Sequence, residues 1–278
     1  MLDRQNSYDA AAAKARCKTH RKAILDMTQR VTALHVGGAF SATEAVDCIY
    51  YDLMRPNAQG KVVGEGAPDT FLMSKGHGYM IQAIILNGLG VMSDEILNGY
   101  CTPEGIIGVH PDYGVPGIEA STGALGHGLS MAMGMAYAVK TQGKDGVVYT
   151  VLSDGEVQEG STWEAVLIAS SRGVSNLVAM IDNNNMQSLG FTHETHPSFY
   201  PVVEKFTAFG WEAAEVDGHD SQAIYEAVMN RSGEKPFVIN LKTTKGKGVS
   251  YMESVPIWHY RSPNPDEYAQ AIREIDEA

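Results

Sequence analysis

Two kinds of hydrophobic pattern alternate along the chain. From about Ser7 to Val36 apolar residues recur at helical spacing, with Ala and long polar residues on the exposed face, which predicts a helix. A second helical stretch covers Ser41 to Met54, with Ser41 or Thr43 available to cap it and Pro56 to stop it. Thr70 to Ser74 is a short apolar run ending in Lys75-Gly76-His77-Gly78, and another helical stretch follows from about Tyr79 to Asn87. In the middle of the chain the pattern changes. Val147 to Ser153 (VVYTVLS) and Leu177 to Asp182 (LVAMID) are short, β-branched and apolar on both parities, as strands buried on both faces are. Between them Ser161 to Arg172 (STWEAVLIASSR) reads as a crossover helix, completing a βαβ unit. A third run, Phe237 to Thr244 (FVINLKTT), follows a helical stretch from about Ser221 to Arg231. The alternation predicts an α/β fold with a mainly parallel sheet flanked by helices on both faces. One domain spans 1–278, and its tail, from about residue 263 to 278, is expected to end in an acidic surface helix.

Composition narrows the function. Hydrophobic residues are 44% of 278, enough for a sizeable core. The net charge of −12 argues against nucleic-acid or anionic-membrane binding, so a polyanionic ligand would need divalent metal and a few placed lysines. Three cysteines, Cys17, Cys48 and Cys101, show no CxxC spacing, which fits a reducing compartment. The first thirty residues have no apolar leader, and no stretch is long enough to span a bilayer, so a cytoplasmic location is expected.

Open parallel sheets bind ligands beyond the carboxyl ends of their strands. The first central strand runs into Asp154-Gly155-Glu156 and the second into Asp182-Asn183-Asn184-Asn185-Met186. Either segment alone is ordinary turn or loop chemistry. At successive strand ends, Asp154 and Asn184 converge as oxygen ligands of the kind that suit Mg²⁺ or Ca²⁺ rather than zinc. Upstream, Glu119 to Ala136 (EASTGALGHGLSMAMGMA) places Gly123, Gly126 and Gly128 ahead of a small-residue helix, a turn whose N–H groups can face an anion.

The series Ser153-Asp154-Gly155, Gln158-Glu159-Gly160 and Asp182-Asn183-Asn184 resembles the thiamine diphosphate motif. Around it, Leu34-His35-Val36-Gly37-Gly38, Ser74-Lys75-Gly76-His77, Val109-His110-Pro111, Ser121 to Gly126, Lys245-Gly246-Lys247-Gly248 and Trp258-His259 resemble transketolases, in that family's order. The likeness is strongest to the N-terminal, diphosphate-binding subunit of split transketolases. It implies thiamine diphosphate with Mg²⁺ (or Ca²⁺) held by Asp154, Asn184 and the Met186 backbone carbonyl. It also implies that Lys75, His77, Gly123, Ala124, Leu125, Gly155, Glu156, Lys245 and His259 surround the cofactor. His35, His77, His110 and His259 would serve the reacting centre and a small sugar or sugar phosphate. The family's pyrimidine-binding half would come from a C-terminal subunit, in an α2β2 heterotetramer. Two departures are visible: Ser153 stands where many members have Gly, and His127 where many have Gln. Two alternatives remain at this point: the α-type subunit of another thiamine diphosphate enzyme, such as a 2-oxo acid dehydrogenase, and a catalytically silent cofactor-binding subunit. His20, His193, His196 and His219 are expected to be structural.

Overall fold

A computed structural model describes residues 8–32, 34–188 and 190–278. Helix α1 (Ala10–Thr28) starts at Asp9, whose side chain accepts from the Ala11 and Ala12 amides, both at 3.0 Å. It ends before the predicted boundary at Val36, and a separate short helix, α2 (Val36–Ser41), begins there. The predicted helix from Ser41 starts at Thr43 instead, as α3 (Thr43–Cys48), and widens into a π-helical turn at Ile49–Leu53. Neither proposed cap acts as one: the Ser41 hydroxyl bonds Asp182 and the Thr43 hydroxyl bonds Ala39 O. Every residue of α2 and α3 is buried, so these helices lie inside the molecule with no solvent-exposed face.

Strand β1 (Thr70–Met73) then leads to helices α4 (Tyr79–Gly88), α5 (Asp94–Asn98) and α6 (Gly128–Thr141). Strand β2 (Val148–Ser153), the short α7 (Asp154–Val157), α8 (Gly160–Ser171) and β3 (Leu177–Asn183) form the expected βαβ unit. A two-stranded hairpin, β4 (Met186–Gln187) with β5 (Gly190–Phe191), runs into α9 (Thr192–Thr195) and α10 (Val202–Ala208). The chain closes with β6 (Glu212–Asp217), α11 (Ser221–Met229), β7 (Phe237–Lys242) and α12 (Pro265–Glu277).

The main sheet is parallel throughout, in the order β1-β2-β3-β7-β6. Strand parity splits its side chains between two cores. Phe71, Tyr149, Val151, Val178, Met180, Phe237 and Ile239 join the core under α1–α4, α11 and α12. Leu72, Val148, Leu152, Leu177, Ala179, Ile181 and Val238 join the opposite core under α6, α8 and α10. Helices therefore cover both faces, as the doubly apolar strands require. The acidic tail helix is not simply superficial, since Ala271 and Ile275 are buried in the first core.

The register decides what meets at the carboxyl edge. Ser153 pairs with Asp182, and Asn183 with Lys242. The residues that follow β1, β2, β3 and β7 thus emerge side by side along one rim.

Candidate active site

That rim is a buried polar floor. Lys75, just past β1, is fully buried, as are Asp154 and Asp182, while Lys245 is 3% exposed. Lys75 forms an ion pair with Asp182 and also donates to Gly38 O at 2.8 Å. Asp182 accepts further bonds from Ser41 at 2.6 Å and from Thr243. Burial pushes the Asp182 carboxyl upward, but Lys75 and the two hydroxyls outweigh it and hold the carboxyl below its ordinary range.

Asp154 lacks such partners. One oxygen accepts from its own neighbour, the Gly155 amide, at 2.8 Å; the other has the Thr192 hydroxyl at 3.5 Å. Burial and the nearby Asp182 charge push it up to about 7, against the pull of Lys75 and Lys245. Beside it Asn184 is 8% exposed, with its amide N–H reaching Asp182 at 3.4 Å and Ser41 at 3.5 Å. Its oxygen accepts from the Met186 amide at 3.2 Å. Asn185 sits between them at φ 60, a left-handed conformation that Asn tolerates, and it turns the chain from β3 into the hairpin. Among the described residues no three His, Cys, Asp or Glu side chains cluster to hold a metal. A cation here would take one carboxylate, one amide oxygen and one backbone carbonyl. That sparse set suits Mg²⁺, which fills its remaining positions with water and phosphate oxygens. A buried carboxylate with no ion pair among the described residues is the feature that fits such an ion.

Above the floor four histidines converge. The His35 ring centroid lies 5.6 Å from His77, 6.5 Å from His110 and 5.1 Å from His259, and His77 lies 5.9 Å from His259. They come from four separate segments, so only the fold brings them together. Burial, then His110, Lys245 and Lys75, lower His35 to about 4. Burial, then Lys245, His35 and Lys75, lower His259 to about 3, and burial with Lys75 takes His77 well below its ordinary value. These three imidazoles are neutral near pH 7, each with one donor and one acceptor nitrogen. His259 Nδ1 accepts from Lys245 Nζ at 2.6 Å, and the buried Nδ1 of His35 has no partner among the described residues. Burial, followed by Lys75, lowers Lys245 itself to about 8.

Glycines let backbone segments close around this cleft. Gly123 sits at φ 126, and a Cβ on Gly76 would lie 2.7 Å from its Cα, so the loop after β1 and the glycine-rich turn pack backbone to backbone. A Cβ on Gly38 would press on His77 at 3.3 Å. Gly155 faces the hairpin, where a Cβ would meet Gln187 at 3.1 Å.

Glu156 is placed differently from the other candidates. Its Oε1 accepts from Ser74 at 2.6 Å and from the Gly126 amide at 3.0 Å, bracing the two loops, while Oε2 is buried without a partner. Ala124 and Leu125 lie at the turn, where the Leu125 carbonyl contacts His127 Nδ1 at 3.2 Å. Outside the cleft, His20 pairs with Asp47 at 3.0 Å and His193 with Asn185 at 2.5 Å. His219 bridges Glu44 at 3.1 Å and the Thr244 amide at 2.8 Å. Sequence reading missed Ser41, Thr192 and Thr243, and gave Tyr260 no role, although its ring lies 4.7 Å from His35. Thr243 follows β7 and could have been found by the strand-end rule that found Asp154. Ser41 carries no such signal.

Comparison with known proteins finds likeness over nearly the whole chain. The family described as "Transketolase, thiamine diphosphate binding domain" matches residues 12–272. One subunit of the apulose-4-phosphate transketolase of Phocaeicola vulgatus is 37% identical over 262 residues, covering 93% of this chain and 92% of that one. The 6-deoxy-6-sulfo-D-fructose transketolase subunit SqwG of Clostridium sp. is 34% identical over 259 residues, covering 92% of this chain and 93% of its own. The solved transketolase of Campylobacter jejuni superposes on 97% of this chain with a TM-score of 0.85 at 24% identity, a likeness of fold. This chain spans 43% of that solved chain.

Proposed function

The chain belongs to the transketolase family, in its thiamine diphosphate-binding part, and from that premise we propose that it is the diphosphate-binding subunit of a two-chain transketolase. The enzyme would move a two-carbon ketol unit from a ketose to an aldose, the sugars being free or phosphorylated. The observation that carries the reading is the meeting of a lone buried carboxylate, Asp154, with four histidines across one sheet edge.

Asp154, Asn184 and the Met186 carbonyl would hold Mg²⁺, or Ca²⁺ in its place, against the diphosphate. Lys75 and Lys245 would supply the positive floor that an acidic chain otherwise lacks, with His77 and His259 beside them. Gly123, Ala124, Leu125 and Gly155 would border the cofactor as backbone rather than side chains, and Glu156 would brace the turn. Thiamine diphosphate, when bound, supplies the carbon nucleophile and electron sink for carbon–carbon cleavage. His35, His77, His110 and His259 would orient the sugar hydroxyls and shuttle protons to and from its oxygens. Neutral imidazoles suit that task because each can both donate and accept. Lys245 Nζ, donating to His259 Nδ1, fixes which ring nitrogen of His259 is free toward the cleft.

The complementary pyrimidine-binding half would come from a separate chain, and two copies of each chain would form the complete enzyme. Both apulose-4-phosphate transketolase relatives are named as subunits and match this chain over nearly their whole length, which supports the arrangement. Among the described residues no helix is long and apolar enough to cross a membrane. A cytoplasmic site of action is part of the same proposal. The test is reconstitution. The purified chain with thiamine diphosphate and Mg²⁺ should show negligible ketol transfer, and activity should appear when the complementary chain is added. Full activity from the single chain would overturn the two-chain reading. Absence of cofactor binding would overturn the whole.

A further inference from the structure

A cavity of about 390 Å³ is bordered by Lys247 and Gly248 of the loop that carries Lys245, the cofactor loop of the proposed site. One face of α1 lines it with Lys14, Cys17, Lys18 and Arg21, at helical i, i+3, i+4 and i+7 spacing. The turn before α11 closes it on one side with His219, and Lys247 and Gly248 close it on another. We propose that this cavity is a regulatory site for a small phosphomonoester, coupled to the cofactor loop through His219.

Charge inside the cavity is lopsided, and in the opposite sense to the chain as a whole. Its two acidic side chains are already committed. Glu44 pairs with Arg21 at 2.7 Å and with His219 at 3.1 Å, and Asp220 caps α11 by accepting from the Ala223 amide at 3.0 Å. The lysines are held loosely or not at all. Lys14 has no partner among the described residues, Lys18 reaches only the Asp276 carbonyl at 3.3 Å, and Lys247 stands 3.8 Å from Glu253. Arg21, 7% exposed, borders the cavity with its terminal nitrogens held by Glu44 and Phe40 O, and adds fixed positive charge to the wall. One unpartnered ammonium group, Lys14, and two weakly held ones, Lys18 and Lys247, around a cavity of metabolite size call for anionic oxygens. A phosphomonoester supplies three of them on a body small enough to fit.

The coupling has a short physical path. His219 Nε2 accepts from the Thr244 amide at 2.8 Å, and Thr244 immediately precedes Lys245 of the active-site floor. The same loop therefore presents Lys245 to the cleft and Lys247 to the cavity. A ligand that draws Lys247 away from Glu253 strains or steadies the loop that holds Lys245.

Glycerol 3-phosphate is the probe, titrated calorimetrically into the full chain saturated with thiamine diphosphate and Mg²⁺, so that the cofactor site cannot compete. A parallel titration omits the cofactor, so a failure of cofactor binding would be seen separately. Binding with a Kd of about 1 mM or tighter is expected in both, weakened about tenfold or more in Lys14→Glu/Lys18→Glu. If that variant folds poorly, Lys14→Gln/Lys18→Gln takes its place, with a smaller loss expected. Saturating probe should also shift thiamine diphosphate affinity by about threefold or more in the wild type and not in the variant. Equal affinity of the probe for wild type and variant, or no binding up to about 20 mM, overturns the site. Probe binding that leaves cofactor affinity unmoved overturns the coupling.

Discussion

Two buried ionic clusters, on opposite sides of the loop that carries Lys245, are built from similar residues and end in opposite conditions. In the helical cluster Arg21 grips Glu44 at 2.7 Å and donates to Phe40 O at 3.0 Å, while His219 closes on the same carboxylate at 3.1 Å. Burial opposes the Glu44 charge, yet Arg21 and His219 overcome it and hold the carboxyl at about 2. At the sheet edge there are two carboxylates and two lysines, and they are matched unevenly. Lys75 goes to Asp182, Lys245 goes to a histidine, and Asp154 is left with a backbone amide and a distant hydroxyl. In the first cluster the buried carboxylate is paired by folding alone. In the second, Asp154 has no ion pair among the described residues, and the proposed metal ion would supply the missing positive charge. A buried ionic group that the chain itself does not satisfy marks the place where a ligand does.

The sharpest way to break this contrast is Asp154→Ala. It should weaken Mg²⁺-dependent thiamine diphosphate binding by about a thousandfold, some 4 kcal/mol, while the unfolding midpoint of the unliganded chain holds or rises. Calorimetric titration with urea unfolding reads both, and an unchanged affinity would remove Asp154 from the metal site. The converse is Arg21→Met. Stripped of its partner, Glu44 becomes an uncompensated buried charge, and the chain should lose about 3 kcal/mol of stability. The variant that remains folded should bind thiamine diphosphate within a few-fold of the wild type. A loss of stability below about 1 kcal/mol would mean that the helical cluster is not the balanced one.

Acid separates the clusters by a third route. Because the folded Glu44 value lies below its unfolded one, its contribution is complete above about pH 4.5 and is lost as the pH falls toward 2. On the order of 2–3 kcal/mol should disappear across that window. The stability difference between wild type and Glu44→Gln, measured by urea unfolding at pH 6 and at pH 3, should therefore shrink at the lower pH. A difference that stays constant would show that Glu44 is not held in its charged form by Arg21.

The two clusters also differ in how far the sequence discloses them. Asp154, Asn184 and the strands leading to them are legible because β2 and β3 are apolar on both parities, which marks buried parallel strands, and such strands bind at their carboxyl ends. The histidines are legible only through their resemblance to a family, since nothing in spacing links residue 35 to residue 259. Ser41 reads as a helix cap, because its bond to Asp182 crosses 141 positions and depends on a helix no pattern reveals. That helix, α2, is buried all round and contains Gly37-Gly38, so it has neither amphipathic period nor helical propensity. Strand β6 escapes sequence reading for the opposite reason. At the sheet edge it is half-exposed and reads EAAEVD, poor in β-branched residues.

Ser41→Ala is the smallest and most discriminating perturbation, because it touches the point where the unbalanced cluster is nearest to balance. The hydroxyl gives Asp182 one bond of 2.6 Å, and Lys75 and Thr243 remain when it is gone. Loss of one charge-assisted bond from a carboxylate that keeps Lys75, Thr243 and the Asn184 amide should cost about 1 kcal/mol, lowering the thermal midpoint by roughly 2–4 °C. Asp182 itself is no metal ligand in the proposed site, so thiamine diphosphate affinity should move by less than about threefold. Thermal unfolding beside cofactor titration reads the two effects separately. A large loss of cofactor affinity would show that the Ser41–Asp182 bond positions Lys75 for the diphosphate. The balanced part of the floor would then belong to the binding machinery as fully as Asp154 does.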